Sequence, residues 1–119
     1  MKYAAALLLL PLLAAKSDPL ADRTPGKPAQ CLSLPTTQGP EILDNRTILY
    51  RTGRDRIWRT SPIGACPGLR PNTRLIIDIY GGQICRNDRF RTFDVNDTIP
   101  GPYCRFGPFV PYDKPKTSS

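Results

Sequence analysis

The chain contains no histidine, one methionine and one tryptophan among its 119 residues. Histidine is the usual general base beside a serine or cysteine nucleophile, so its absence argues against a hydrolytic triad. Zinc would rest on the four cysteines alone, and their spacings of 35, 19 and 19 residues contain no Cys-x-x-Cys knuckle. No window carries a 3.6-residue apolar period long enough for a substantial helix. The longest apolar run, Tyr3 to Leu13 with Pro11 inside it, falls short of the roughly twenty residues that cross a bilayer. Lysine is missing between Lys27 and Lys114, so every positive side chain in that stretch is a guanidinium.

What is present at the start has the three parts of a secretory signal. Met1-Lys2 supplies charge, Tyr3 to Leu13 the apolar segment, and Ala14, Ala15 and Ser17 the small residues before a cut. Cleavage after Ala15 and after Ser17 both fit, and the second is preferred, giving a signal of residues 1–17. No cysteine follows directly, which predicts an exported product with neither lipid nor membrane anchor.

Cys31, Cys66, Cys85 and Cys104 are an even set in a short exported chain, which predicts two disulfides. Four cysteines allow three pairings. Sequence proximity favours Cys66 with Cys85 as a local loop and Cys31 with Cys104 as a tie between the domain ends. Loop-closure entropy assigns these about 3 and about 4 kcal/mol. A domain of this size needs that help, because it buries only about 60% of its unfolded surface.

Residues 18–30 hold Pro19, Pro25, Gly26 and Pro28 with little apolar content, and read as a flexible leader. Residues 31–112 form the expected domain and 113–119 a polar tail. Inside the domain, strand-like runs alternate with turn residues. Residues 41–52, broken at Asp44-Asn45, are followed by a reversal at Gly53–Asp55 into Arg56–Thr60. Thr73 to Tyr80 reads as a strand with Leu75, Ile77 and Ile79 on its core face. Gly81-Gly82 reverses the chain into residues 83–86, and Arg89 to Val95 reads as a strand with Phe93 and Val95 on one face. Prolines 100, 102, 108 and 111 argue against a central strand there, with Phe106, Phe109 and Val110 folding back onto the core. The expected fold is all-β: a small disulfide-stapled barrel or curled antiparallel sheet of five to six short strands.

Net charge is +7 for the whole chain. Tyr50, Arg51, Arg54, Arg56, Trp58 and Arg59 interleave arginines with aromatics on one expected hairpin, a pattern able to grip an anion or a stacked ring. The competing account is a solvated hairpin with Trp58 filling the core. Carboxylate catalysis would draw on Glu41, Asp78, Asp88, Asp94 and Asp97, of which Asp88 and Asp97 sit in turn contexts. The segment 61–71 is a loop suited to a third role, inhibition of a secreted enzyme. Asn45-Arg-Thr47 and Asn96-Asp-Thr98 match the glycosylation acceptor pattern. The reading is a non-enzymatic periplasmic or secreted binding or interaction module without cofactor. Its expected partner is an acidic envelope polymer, glycolipid or protein, and nucleic acid is a poor fit for the compartment.

Cys31-Leu, the run Thr47-Ile-Leu-Tyr50, Cys66-Pro-Gly-Leu69, Cys85 followed by Asp88, and Cys104-Arg-Phe-Gly107-Pro-Phe-Val110 carry a resemblance. From Cys31 to Val110 the chain resembles a family of small exported four-cysteine proteins of Gram-negative bacteria, described as a domain of unknown function. The resemblance implies a periplasmic location and a cysteine-anchored fold. It brings no activity, cofactor or site residue.

Overall fold

The structure is a computed structural model, and it describes residues 18–115. The expected signal and the last four residues of the expected tail lie outside the described residues.

Alternating side chains and closely spaced turn residues produce a meander first. β3 (Thr37–Asp44), β4 (Thr47–Thr52) and β5 (Arg56–Thr60) pair antiparallel in sequence order. Asp44 Oδ1 accepts the Arg46 N–H at 2.8 Å in the first turn, the local bond that makes Asp a turn former. Gly53, at φ 65°, opens the second. Between Gln38 and Glu41 the register shifts, and Gly39-Pro40 bulges out. Gly39 has φ 136°, and a Cβ there would stand 2.9 Å from the Tyr50 ring, so only glycine fits.

β1 (Thr24–Pro25) and β10 (Val110–Asp113) extend this meander into a five-stranded sheet ordered β1-β10-β5-β4-β3. A proline strand inside a sheet corrects the expectation from Pro111. The Gly26 N–H donates to the Pro111 carbonyl at 2.8 Å. A strand residue presents its N–H and C=O on the same side, so the missing donor faces β1 and the ladder with β5 is intact. The segment expected as a flexible leader is likewise tied down. Thr24 and Pro25 pair with Asp113 and Tyr112, and Ala29 bridges Phe109.

The second half is built from β6 (Arg74–Ile77), β8 (Arg89–Phe93) and β9 (Tyr103–Arg105) in that spatial order, antiparallel throughout. β2 (Cys31–Ser33) and β7 (Gln83–Cys85) form a two-stranded ribbon. All three sheets are open, so the barrel expectation is corrected: the fold is all-β and antiparallel without closure, with ten strands among the described residues. The excess over five or six comes from short strands in the proline-rich ends.

The core lies between the halves, on Leu32, Ile42, Ile48, Tyr50, Leu69, Ile84, Phe90, Phe106 and Phe109. Phe90 and Phe106 stack with centroids 4.4 Å apart, and Phe109 follows at 5.8 Å. Two face assignments are corrected. Leu75 and Ile77 pack on the core, but β6 ends there and Ile79 is exposed, because the chain bends into the Tyr80–Gln83 turn. On β8 the buried parity is Phe90 and Thr92, which pair with Ile77 and Leu75; Val95 lies beyond the strand and is exposed.

The disulfides are Cys31–Cys85 and Cys66–Cys104, with no free cysteine. They interleave, and the expected nested pairing is corrected. β7 does not fold back on β6; it pairs with β2, which sets Cys85 directly opposite Cys31. Cys104 faces inward from β9 and meets Cys66. Disulfides form and persist in oxidising compartments. No described helix is long and apolar enough to cross a membrane.

Leu49 and Ile57 are buried to 0% and 2% exposure yet lie outside the main core. Strand alternation places them on the opposite face of the five-stranded sheet, with Arg51, Arg59, Val110 and Tyr112. Asp18 and Pro19 line an open cleft of about 580 Å³ with Glu41 to Asp44 on β3 and with Pro71. Five residues on, the Arg23 guanidinium donates to the carbonyls of Asp55 and Tyr112, and Thr24 joins β10. Residues 18–23 therefore form a strap from the β3 edge to the β10 side. The burial of Leu49 and Ile57 is consistent with screening by this strap and by the Arg51 and Arg59 stems.

Candidate binding face

The hairpin residues singled out in the sequence do not share one surface. Tyr50, Arg56 and Trp58 fall on the core-facing side of the sheet, Arg51 and Arg59 on the other, and Arg54 sits exposed in the turn. Two of the arginines hold acids: Arg51 Nη2 lies 2.8 Å from Glu41 Oε1, and Arg56 grips both oxygens of Asp113 at 2.7 and 2.8 Å. Trp58 is half-buried against the core, and its Nε1–H donates to Thr52 Oγ1 at 2.9 Å. The Arg56 guanidinium lies 5.4 Å from the Trp58 ring centre.

Tyr50 is 2% exposed, and its hydroxyl has no hydrogen-bond partner among the described residues. Burial alone holds its pKa far above the usual phenol value. An unpaired buried hydroxyl costs about 1–3 kcal/mol. Tyr50→Phe is therefore expected to raise stability by about 1 kcal/mol in a urea titration; a loss of that size would mean that the hydroxyl is satisfied in solution.

The carboxylates are occupied one by one. Asp78 pairs with Arg89 at 3.3 Å, and Asp88 Oδ2 accepts the Cys85 N–H at 2.7 Å. Asp94 takes the Thr73 hydroxyl at 2.6 Å and the Arg70 guanidinium, while Asp97 accepts the Asp94 N–H at 2.9 Å. The bond from Thr73, then that from Arg70, holds the Asp94 carboxyl below its ordinary range; Arg56 does the same for Asp113. A depressed native pKa contributes stability that is present above the ordinary carboxylate value near 4 and is lost as pH falls through the native value. Stability is thus expected to fall below about pH 4, and an Asp94→Asn/Asp113→Asn double variant is expected to flatten that fall. An unchanged acid limb in thermal melts would count against these pairs.

Arginines do converge elsewhere, on the outer face of β6-β8-β9. Strand alternation sends Leu75, Ile77, Phe90, Thr92 and Cys104 inward, which leaves Arg74, Ile76, Arg89, Arg91, Tyr103 and Arg105 outward. Arg89 stands directly opposite Arg105, and Ile76, Arg91 and Tyr103 form one row across the three strands. The guanidinium carbons of Arg89 and Arg91 lie 4.5 and 4.7 Å from the Tyr103 ring centre. Arg91 Nε also donates to the Gly101 carbonyl at 2.8 Å. Stacking and that hydrogen bond fix the two heads before any ligand arrives.

Asp78, paired with Arg89, is the one acid so placed on this face among the described residues. Among the described residues, Arg74, Arg91 and Arg105 have no carboxylate within ion-pair distance. Like charges placed opposite each other are unfavourable in a sheet, so stability does not account for the arrangement. The signal was in the sequence as the alternations Arg89-Phe90-Arg91 and Tyr103-Cys104-Arg105, but only strand pairing joins them.

Fold and face together define a disulfide-stapled, open antiparallel β domain with a cationic sheet surface. No family model, no curated protein and no solved structure matches the chain.

Proposed function

We propose that this protein is a non-enzymatic binding module of the periplasm or the extracellular space, which takes an acidic partner on the outer face of β6-β8-β9. Membership among the small exported four-cysteine proteins it resembles is part of the same proposal. The observation that carries the reading is the unneutralised set Arg74, Arg91 and Arg105 around the Arg89–Tyr103–Arg91 stack. Individually occupied carboxylates support a role without catalysis more than a carboxylate-dependent hydrolase.

Sulfated dextran, with uncharged dextran as control, tests the face by calorimetric titration. Arg74→Ala/Arg105→Ala is expected to weaken binding about a hundredfold or more, since hydrogen bonds to charged groups contribute about 1.5–3 kcal/mol each. Arg51→Ala/Arg54→Ala/Arg56→Ala should change it less than about twofold, and affinity should fall with salt. Equal losses in both variants would return the site to the hairpin, and no saturable binding would end the proposal.

A second reading has its own observation. Ile63, Gly64 and Ala65 are exposed between fixed ends: the Ile63 N–H donates to the Arg105 carbonyl at 2.9 Å, the Gly107 N–H to that of Ser61 at 2.9 Å, and Cys66 is bonded to Cys104. Such a held loop suits inhibition of a secreted enzyme. Recovery of one stoichiometric hydrolase from an envelope extract on the immobilised protein, lost in Ile63→Asp, is what this reading requires.

A further inference from the structure

We infer that the ligand of this face is a linear acidic polysaccharide that crosses the three strands obliquely, its carboxylates meeting Arg74, Arg91 and Arg105 in turn. The inference rests on the binding-module reading above and adds the ligand class and its orientation.

The register sets the geometry. Arg74 is opposite Phe93, two residues from Arg91; Arg105 is opposite Arg89, two residues from Arg91 in the other direction. Each step from Arg74 to Arg91 to Arg105 is therefore one strand across and two residues along in a constant sense. Diagonal neighbours of this kind are about 7–8 Å apart, so the three arginines form a straight cationic line. Arg91 directs Nε and Nη2 at the carbonyls of Gly101 and Pro100. Its Nη1 and the second Nη2 hydrogen remain for a carboxylate.

Apolar surface lies on either side of this line. Ile76 and Tyr103, 44% and 51% exposed, flank Arg91 in its row. A chain alternating carboxylates with the C–H faces of sugar rings meets both kinds of surface. Polyphosphate offers nothing to the apolar part. An acidic peptide lying across the strands leaves its own N–H groups outside the sheet ladder, since that ladder grows only at an edge and in the strand direction.

Galacturonic acid and its linear trimer and decamer, titrated at low salt, test the inference. Affinity is expected to rise by about a hundredfold from monomer to decamer as successive carboxylates engage at high effective concentration. Arg74→Ala and Arg105→Ala, each at one end of the line, are both exposed and unpaired and should not lower the melting temperature. Each should cut the decamer's advantage over the trimer about tenfold. A decamer that binds no tighter than the monomer overturns the inference and leaves an anion-binding face. So does tighter binding of poly-glutamate or polyphosphate at matched charge. No binding of any of these anions overturns the inference and the binding-module reading together.

Discussion

Replacing Cys31 and Cys85 together with alanine is expected to lower stability by about 4 kcal/mol, and the Cys66/Cys104 pair by a similar amount. The bridged cysteines are 54 and 38 residues apart in sequence, and closure entropy depends only weakly on loop length in this range. Domains hold about 5–15 kcal/mol in total, and loss of one native bridge from a small domain often abolishes folding near 37 °C, so either double variant is expected to be strongly destabilised there. Urea titrations of the oxidised parent and both variants measure the loss. Mass spectrometry of non-reduced peptides checks the pairing behind it. A bridge between the peptides of Cys66 and Cys85 would restore the nested arrangement and remove the β2–β7 ribbon from the fold.

Deleting residues 18–23 is expected to cost about 3 kcal/mol or more, although the segment is polar and lies outside the main core. Its effect comes from Leu49 and Ile57, whose burial on the outer face is worth about 1.5–3 kcal/mol each. The shortened protein should bind a hydrophobic dye that the parent excludes and show faster amide exchange in β4 and β5. Unchanged stability and no dye binding would mean that the Arg51 and Arg59 stems alone cover these two residues. A Leu49→Ser/Ile57→Ser variant in the full chain is expected to lose a comparable amount, which separates loss of the strap from loss of what it covers.

Parts of this fold were legible because they are local. The β3–β4–β5 meander follows from Asp44-Asn45 and Gly53–Asp55, turn formers placed between alternating runs, and the structure keeps both turns. Phe106, Phe109 and Val110 were expected to return to the core; the two phenylalanines do so, because a short chain has few other large apolar groups to bury, while Val110 lies half-buried on the outer face beside Arg59. Strand parity was harder. Arg89 to Val95 offers Phe90 on one parity and Phe93 with Val95 on the other, and the choice depends on β6 pairing to place Phe90 against Ile77.

The arginine-aromatic composition was legible in the sequence, and its placement on one surface was not. Arginine without lysine, set among aromatics, pointed to anion recognition. The hairpin that showed this pattern most densely divides its residues between two faces and spends Arg51 and Arg56 on Glu41 and Asp113. Residues from three separate stretches, Arg74, Arg89 to Arg91 and Tyr103 to Arg105, supply the face that the structure assembles.

By itself the sequence determined an all-β chain with its sulfurs paired, a basic surface made of guanidinium, and the turns of one meander. These depend on composition and on neighbours within a few residues. Tertiary structure decided which sulfurs meet, which parity of β8 faces inward, where residues 18–23 lie, and which arginines stand side by side. Each of these is set by pairing between strands distant in the chain, whose energy becomes available only once both partners are packed on the common core.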